Sequence, residues 1–267
     1  MLFPFHKLFL LTLLLINCKT TPLTTITKLP HDLKEASAIE KLAGSNLLWT
    51  IEDAGNKNHI YGFDLHGNLK KSIEISNVKN KDWEDLTSDQ HGSLYIGDFG
   101  NNKKKRESFF IYKVSDFEND KSSAEKIEFI LPKKTKSKDF ESFFLLKDHF
   151  YIFSKENKKT LVFKVPNSIG KHTAVLIDEF KFDKQLKKIT SAAISDDEQT
   201  IVLLNHDRVM KISNFKNDDF FKGSLEVLKF KHDTQKEGLC FKNNHTVYIT
   251  DEREKSEGGK LYEFNIN

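Results

Sequence analysis

Apolar and polar residues alternate along most of the chain in short runs, separated by polar or glycine-containing turns. Runs with this period that are rich in β-branched and aromatic residues predict β-strands. Three successive stretches each predict four strands, at 83–87, 93–98, 108–114 and 126–131, then at 140–146, 149–154, 160–165 and 173–180, and then at 189–195, 200–204, 209–213 and 225–230. A last stretch predicts only three strands, at 238–241, 246–250 and 260–266.

The strand pattern is part of a longer repeat. Segments that match in their apolar alternation begin at Lys34, Lys81, Lys138, Lys188 and Thr234. Three residues after each start comes a polar residue, and these are Ser37, Glu84, Glu141, Ser191 and Glu237. They are 47, 57, 50 and 46 residues apart, close to the period at which four-stranded propeller blades recur. The repeat therefore predicts one blade for each start.

The strand missing from the last unit has a candidate at the other end of the chain. Residues 24–29, with the sequence TTITKL, form a strand-like run that belongs to none of the repeats. If this run pairs with the last blade, it closes the ring and removes the sheet edges that an open array would expose. We therefore predict an all-β fold, a five-bladed β-propeller closed by an N-terminal strand that completes the last blade. A β-sandwich is the alternative, and six blades would need a further unit that the sequence does not contain.

The first strand of each blade lines the central channel of a propeller, so equivalent positions form a ring around its axis. The ring predicted here consists of Ser37, Glu84, Glu141, Ser191 and Glu237. Converging carboxylates repel one another unless a positive charge lies between them, and oxygen-only ligands favour Ca²⁺ over zinc or magnesium. The alternative is a wet channel in which the glutamates are solvated or paired with lysines such as Lys81 and Lys138. Asp82 and Asp139 are either partners of the ligands or solvated loop residues.

The loops that join second to third strands open on the same face as the start of each first strand. These loops are 52–58, 98–107, 154–159, 205–207 and 251–259. Together they predict a polar face, which we call the loop face, that binds a small molecule or protein ligand over the metal. The candidate residues on this face are Asp53, Asp98, Lys155, His206 and Arg253. For any one of these side chains, a solvated position in a turn is the alternative.

Composition limits the class of protein. The chain has 23 phenylalanines and 5 prolines among 267 residues, which suits many short strands with aromatic side chains between sheets. Its 42 Lys and Arg nearly balance 39 Asp and Glu, and the lysines are scattered with no concentrated basic face, so we expect no nucleic-acid partner. We also expect a monomer. Cys240 lies in an apolar run and is expected in the core, and no Cys/His spacing indicates zinc.

The amino terminus predicts export. Residues 1–18 combine one lysine, an apolar run and a final Cys18, and the run is too short to span a bilayer as a helix. Its last residues resemble a lipoprotein box, which implies lipidation of Cys18, although Asn17 departs from the small residue usual there. An ordinary cleaved signal is the alternative. Residues 19–23 would then be a tether and 24–267 a single domain, held in the bacterial envelope or secreted, with membrane contact only through the lipid anchor.

The stretch KDWEDLTSDQHGSLYIGDFGNN from Lys81, with KDFES and QKEGLCF at later units, resembles secreted bacterial propellers of the SdiA-regulated and esterase-like phytase type. The Ser, Glu, Glu, Ser, Glu order is similar to that of the calcium-activated nucleotidases (apyrases), five-bladed propellers with a central calcium. That resemblance implies calcium ligation by the five ring residues. The arginine-rich phosphate-gripping loops expected of the nucleotidases are absent from the sequence, as are nucleophile-elbow and phosphate-cradling motifs.

Two functions follow as expectations. The first is an exported calcium-binding propeller that recognises a ligand without catalysis. The alternative is a calcium-dependent hydrolase of phosphate esters or nucleotides, in which the metal acts as a Lewis acid. In a third possibility the metal is only structural.

Overall fold

The structure is a computed structural model that describes residues 19–20, 22–157, 159–180, 188–232, 234–254 and 257–267. The predicted signal segment 1–18, with Cys18, lies outside the described residues. Among the residues that are described, no helix has the length and apolar character needed to cross a membrane.

Strands account for nearly all the regular structure, as the short alternating runs require. Two strands, β1 (Lys19–Thr20) and β2 (Thr24–Lys28), precede the repeats. The first repeat forms β3 (Glu40–Lys41), β4 (Leu48–Thr50), β5 (His59–Phe63) and β6 (Leu69–Ile75). The second forms β7 (Trp83–Ser88), β8 (Leu94–Asp98), β9 (Ser108–Val114), β10 (Lys121–Ser122) and β11 (Glu125–Ile130).

The later repeats follow the same order. The third contains β12 (Phe140–Leu146), β13 (His149–Ser154), β14 (Thr160–Pro166), β15 (Gly170–Thr173) and β16 (Val175–Phe180). The fourth contains β17 (Ser191–Ile194), β18 (Thr200–Asn205), β19 (Arg208–Ser213), a 3₁₀ helix (Phe220–Lys222) and β20 (Ser224–Lys229). The fifth contains β21 (Lys236–Asn243), β22 (Thr246–Asp251), β23 (Arg253–Glu254), β24 (Glu257–Gly258) and β25 (Lys260–Asn265).

The main strands of each repeat form one antiparallel sheet, and these five sheets surround a common axis. The innermost strands contact one another in a closed cycle, β3 to β7, β7 to β12, β12 to β17, β17 to β21 and β21 back to β3. The predicted five-bladed β-propeller is therefore confirmed.

The ring closes where the termini meet. Strand β2 pairs antiparallel with β25, with Thr24 opposite Glu263 and Lys28 opposite Lys260. The amide of Leu29 continues this contact by donating to the Gly259 carbonyl at 2.8 Å. The N-terminal strand thus completes the fifth blade, as the sequence predicted.

Five short strands were not foreseen. Strands β23 and β24 pair only with each other, and the other three lie on the outer edge of a blade. Strand β10 pairs in parallel with β6, β15 with β11, and β1 with β20. Each of them covers backbone groups that would otherwise be exposed at a sheet edge. The predicted strand 173–180 corresponds to β16 (Val175–Phe180), and its first residue, Thr173, is the last residue of β15 on the edge of blade two. Residues 19–20, predicted as part of a tether, form the edge strand β1.

Aromatic side chains fill the space between blades. Phe140 contacts Phe99, Phe109, Phe129 and Phe163 edge to face, at centroid distances of 5.1–6.3 Å. These five rings are buried, and such pairs add to the hydrophobic stabilisation of the core. Cys240 is also buried, with 1% of its surface exposed, in agreement with its predicted core position.

Candidate functional site

Three of the predicted ring residues lie at β-bulges. The pairing of first and second strands shifts by one residue between Trp83 and Asp85 in blade two, at Glu84. The same shift falls at Glu141 in blade three and at Glu237 in blade five. A bulge re-aims the side chain of its extra residue, so the three glutamates share one geometry at the entrance of the channel. We call this end of the channel the upper mouth.

The two serines of the predicted ring lie in a different layer. Ser191 pairs with Leu204, next to the last residue of β18, and in blade two the corresponding pair is Asp85 with Gly97. Ser37 is equivalent, since its amide donates to the Ile51 carbonyl beside the Ala36 to Glu52 bridge. The serines therefore correspond to the position after each glutamate. The sequence repeat placed all five side chains at one level, because each is three residues after the start of its segment. The bulges add one residue in only three blades, and this shifts the serines by one position relative to the glutamates.

Hydrogen bonds occupy the serine layer. The Ser37 hydroxyl donates to the Trp83 carbonyl at 3.1 Å. The Ser191 hydroxyl donates to Asp85 Oδ1 at 3.0 Å and accepts from the Leu239 amide at 3.1 Å. Both serine side chains thus hold neighbouring blades together.

Asp85 is the centre of that layer and is fully buried. Its Oδ2 accepts from the Phe143 amide of blade three at 3.1 Å and from the Ala192 amide of blade four at 3.3 Å. Burial raises the pKa of Asp85, while these donors act in the opposite direction. One carboxyl group therefore connects the first strands of three blades and fills the channel below the glutamates.

Lys155 supplies the positive charge nearest the three glutamates. Its Nζ forms an ion pair with Glu141, and Glu237 and Glu84 also raise the pKa of the lysine, against the effect of its burial. Burial raises the pKa of Glu141 to about 8, Lys155 opposes that rise and Glu237 adds to it. Lys138, the partner considered from the sequence, instead pairs with Glu156 at 3.4 Å.

A second group of acids lies beside the glutamates. Carboxylate oxygens of Asp53, Asp82 and Glu84 all lie within 4.8 Å of one another. We call these three residues the acidic cluster. Burial raises the pKa of Asp82 to about 6, with the charge of Asp53 as the next cause. Burial also raises the pKa of Glu84 well above its usual value, and Glu141 and Asp53 add to it. The cluster thus collects negative charge that Lys155 offsets only in part.

The shape of the cluster depends on a glycine. Gly100 lies so close that a Cβ there would be 2.0 Å from Glu84 Oε1 and 2.6 Å from Asp82 Oδ2. Glu84 is 8% exposed, and no described hydrogen bond or ion pair engages its carboxylate. Asp53 and Asp82 are half-buried, so the cluster opens to the loop face.

The five loop-face candidates divide into two groups. Asp53 belongs to the acidic cluster, Lys155 pairs with Glu141, and His206 places its Nε2 3.3 Å from Glu237 Oε1. The other two have structural contacts. Asp98 is buried against Arg106 at 2.8 Å and Tyr112 at 3.0 Å, and Arg253 donates to the Leu29 carbonyl at 3.1 Å where the ring closes.

Asp139 accepts hydrogen bonds from two backbone amides. Its Oδ1 accepts from the Asn101 amide at 2.7 Å, and its carbonyl accepts from the Lys155 amide at 2.9 Å. It therefore positions the loop that carries Lys155.

These features define a five-bladed propeller with an acidic site at the upper mouth of its channel. The PQQ-bound aldose sugar dehydrogenase from Streptomyces coelicolor is similar in structure, with a TM-score of 0.56 and 8% identity over 92% of this chain and 98% of that one. A chain of a nidogen/laminin complex gives a TM-score of 0.50 and 10% identity, covering 86% of this chain and 84% of that one. A gluconolactonase from Xanthomonas campestris gives a TM-score of 0.49 and 10% identity, covering 84% of this chain and 70% of that one.

At these identities the likeness concerns the fold alone. No protein-family model matches the chain, and a search of curated proteins also finds no match.

Proposed function

We propose that this chain is a calcium-binding β-propeller that recognises an anionic ligand through the loop face above its metal. The observation that carries the proposal is the acidic cluster, in which Asp53, Asp82 and Glu84 bring carboxylate oxygens within 4.8 Å of one another. Glu84 is nearly buried, and no described side chain or amide donates to its carboxylate. A cation between the three groups would remove their mutual repulsion.

The donors favour calcium. All three are carboxylates, the hard oxygen ligands that Ca²⁺ and Mg²⁺ prefer, and no thiolate or imidazole belongs to the group. The half-exposed positions of Asp53 and Asp82 leave room for water ligands, which suits the larger and less regular shell of Ca²⁺. Glu141 and Glu237 would border this shell, while Lys155 and His206 hold them in place.

The surroundings of the cluster support an anionic ligand. Exposed lysines rim the loop face at Lys57, Lys81 and 103–105, and Lys155 reaches inward among the glutamates. A ligand with a carboxylate or phosphate group would find both the metal and these ammonium groups on one surface. Export, with a lipid anchor at Cys18, is part of the proposal and rests on the sequence of residues 1–18.

Thermal melting with calcium and with chelator tests the metal site. An ion bound only by the folded chain stabilises it by about 2.7 kcal/mol at a hundred-fold excess over Kd, which for a domain of this size is roughly 5–10 °C in Tm. We expect this shift for the unaltered chain and its loss in Glu84→Gln. Glu107→Gln, at an exposed glutamate in a loop of the same face, is the matched control and should keep the full shift. Equal melting in calcium and chelator would refute the proposal.

The same geometry supports calcium-dependent hydrolysis of phosphate esters as a second function. A cation at the cluster and nearby lysines would stabilise charge on a transferred phosphoryl group. Hydrolysis of p-nitrophenyl phosphate and of a nucleoside diphosphate, measured with calcium and with chelator, separates the two. Turnover that requires calcium and is lost in Glu84→Gln would favour the enzyme, whereas calcium-dependent stabilisation without turnover would favour the binding protein.

A further inference from the structure

The lower end of the channel holds a cavity that the proposed metal site does not use. Its volume is about 640 Å³. Every blade contributes to its wall, through residues at or beyond the ends of the first strands, including Leu42, Thr87, Leu145, Ala193 and Phe241. We call this cavity the lower mouth.

The lower mouth is separate from the acidic cluster. Asp85 and Ser191, both without exposed surface, fill the channel between the two ends. Along β7 the distance from Glu84 to Ser88 is four residues, or about 13 Å at the usual rise of a strand. A ligand in the lower mouth would therefore not touch the proposed calcium.

The wall of the lower mouth contains both apolar and acidic residues. Leu42 and Phe241 are buried, and Leu145 is partly buried. The acidic residues of the wall outnumber its lysines, with Glu40, Asp89, Asp148, Asp196 and Glu198 against Lys41 and Lys147. An apolar surface beside excess negative charge suits an amphipathic cation.

Not all of these acids are available to a ligand. Asp89 is occupied by its own turn, since it accepts from the amides of His91 and Ser93 and from the Tyr95 hydroxyl at 2.8–2.9 Å. Asp196 is exposed, and no described partner engages its carboxylate. It is thus free to meet a cation.

Glu40 is the acid best placed inside the cavity. Its Oε1 accepts from the Lys41 amide at 2.8 Å and from the Ser88 hydroxyl at 3.3 Å, whereas no described group donates to its Oε2. Burial raises the pKa of Glu40 to about 8, and the charge of Asp196 adds to that rise. The Lys41 ammonium lowers the pKa of Glu40 only in part, since it reaches the Lys242 carbonyl at 3.4 Å.

We propose that the lower mouth is a second binding site, for a small organic cation that carries an ammonium group on an apolar body. Glu40 and Asp196 face the charge, and Leu42, Leu145 and Phe241 contact the apolar part. The ammonium supplies the positive charge that the two carboxyl groups lack.

An anion of the same shape would meet the Asp196 carboxylate and, where Glu40 is ionised, a second negative charge, so repulsion weakens its binding. The site therefore discriminates by the sign of charge.

Titration calorimetry with phenyltrimethylammonium, and with benzenesulfonate as the anion of similar shape, tests this inference. We expect the ammonium to bind at millimolar concentrations or below, with no heat from the sulfonate. Glu40→Gln keeps the acceptor for Lys41 and Ser88 but removes the charge, so it should fold normally and weaken binding about ten-fold, the effect of roughly 1.4 kcal/mol. Asp196→Asn should weaken binding less, because this side chain is exposed.

Two controls separate this site from the calcium site. Glu84→Gln should leave ammonium binding unchanged, and Glu40→Gln should leave the calcium-dependent shift in Tm unchanged. Equal affinity for the two probes, unaltered binding in Glu40→Gln, or no ammonium binding at millimolar concentrations would each overturn the inference, whatever the result with calcium.

Discussion

Replacement of Asp85 by alanine tests whether one buried carboxyl group connects the blades. The substitution removes the acceptor of the Phe143 amide, the Ala192 amide and the Ser191 hydroxyl, which reach Asp85 from other blades, and of the adjacent Leu86 amide, all of them buried. A buried donor left without a partner costs about 1–3 kcal/mol, so the three donors from other blades alone give about 3 kcal/mol at the low end of that range.

Two effects reduce the loss of stability, so the expected decrease in the free energy of unfolding stays at about 3 kcal/mol. The Ser191 hydroxyl can turn to the Leu239 carbonyl, which is 3.5 Å away, and the variant no longer buries an acidic group. We therefore expect the free energy of unfolding to fall by about 3 kcal/mol, or Tm by roughly 6–12 °C for a domain of this size.

Urea unfolding followed by tryptophan fluorescence measures this change. Asp116→Ala is the matched control, since Asp116 is exposed and accepts one local bond, from the Glu118 amide at 3.0 Å. That control should alter stability by no more than about 0.5 kcal/mol. If Asp85→Ala destabilises the protein by less than about 1 kcal/mol, the carboxyl group does not organise the blades as described.

Three further outcomes follow from the same structure. Burial raises the pKa of Glu141 to about 8 and that of Asp82 to about 6, so the folded chain binds more protons than the unfolded chain in this range. In chelator, the free energy of unfolding should therefore fall as pH rises from about 5 to 8. Bound calcium should flatten this profile. Gly100→Ala should displace the cluster carboxylates and abolish the calcium shift in melting. Gly92→Ala, where a Cβ has no neighbour within 4 Å but φ is +85°, should lower Tm through backbone strain and still keep the calcium shift. Deletion of residues 24–28 removes the outer strand of blade five, and size-exclusion chromatography should then show aggregation rather than a monomer. An unchanged pH profile, a preserved shift in Gly100→Ala or a stable truncated monomer would each count against the corresponding interpretation.

The sequence predicted the fold well because the repeat constrains it at two levels. Local alternation gave the strand bounds, and those at 108–114, 140–146 and 149–154 agree with the structure. The period then gave the number of blades, and the missing fifth-blade strand gave the closure by β2. Strands β10 and β15 were not predicted, because each is short and pairs with a neighbouring blade, which local alternation does not report.

The site was predicted less completely. Glu84, Glu141 and Glu237 share one level, but a bulge separates them from Ser37 and Ser191, and sequence spacing does not reveal a bulge. Asp82 was recognised only as a neighbour of the glutamates, since its contact with Asp53 requires the fold. Asp85 and Gly100 were overlooked, although the Gly-Asp-Phe-Gly segment at 97–100 contains an unusual pair of glycines.

The most direct test of the calcium proposal is an anomalous diffraction map from crystals grown with calcium. We expect one peak between the carboxylates of Asp53, Asp82 and Glu84, at about 2.3–2.6 Å from their oxygens, with Lys155 still paired with Glu141. Crystals of Glu84→Gln under the same conditions should lose that peak. A map without density at the cluster, or with the ion bound elsewhere in the channel, would contradict the proposed site.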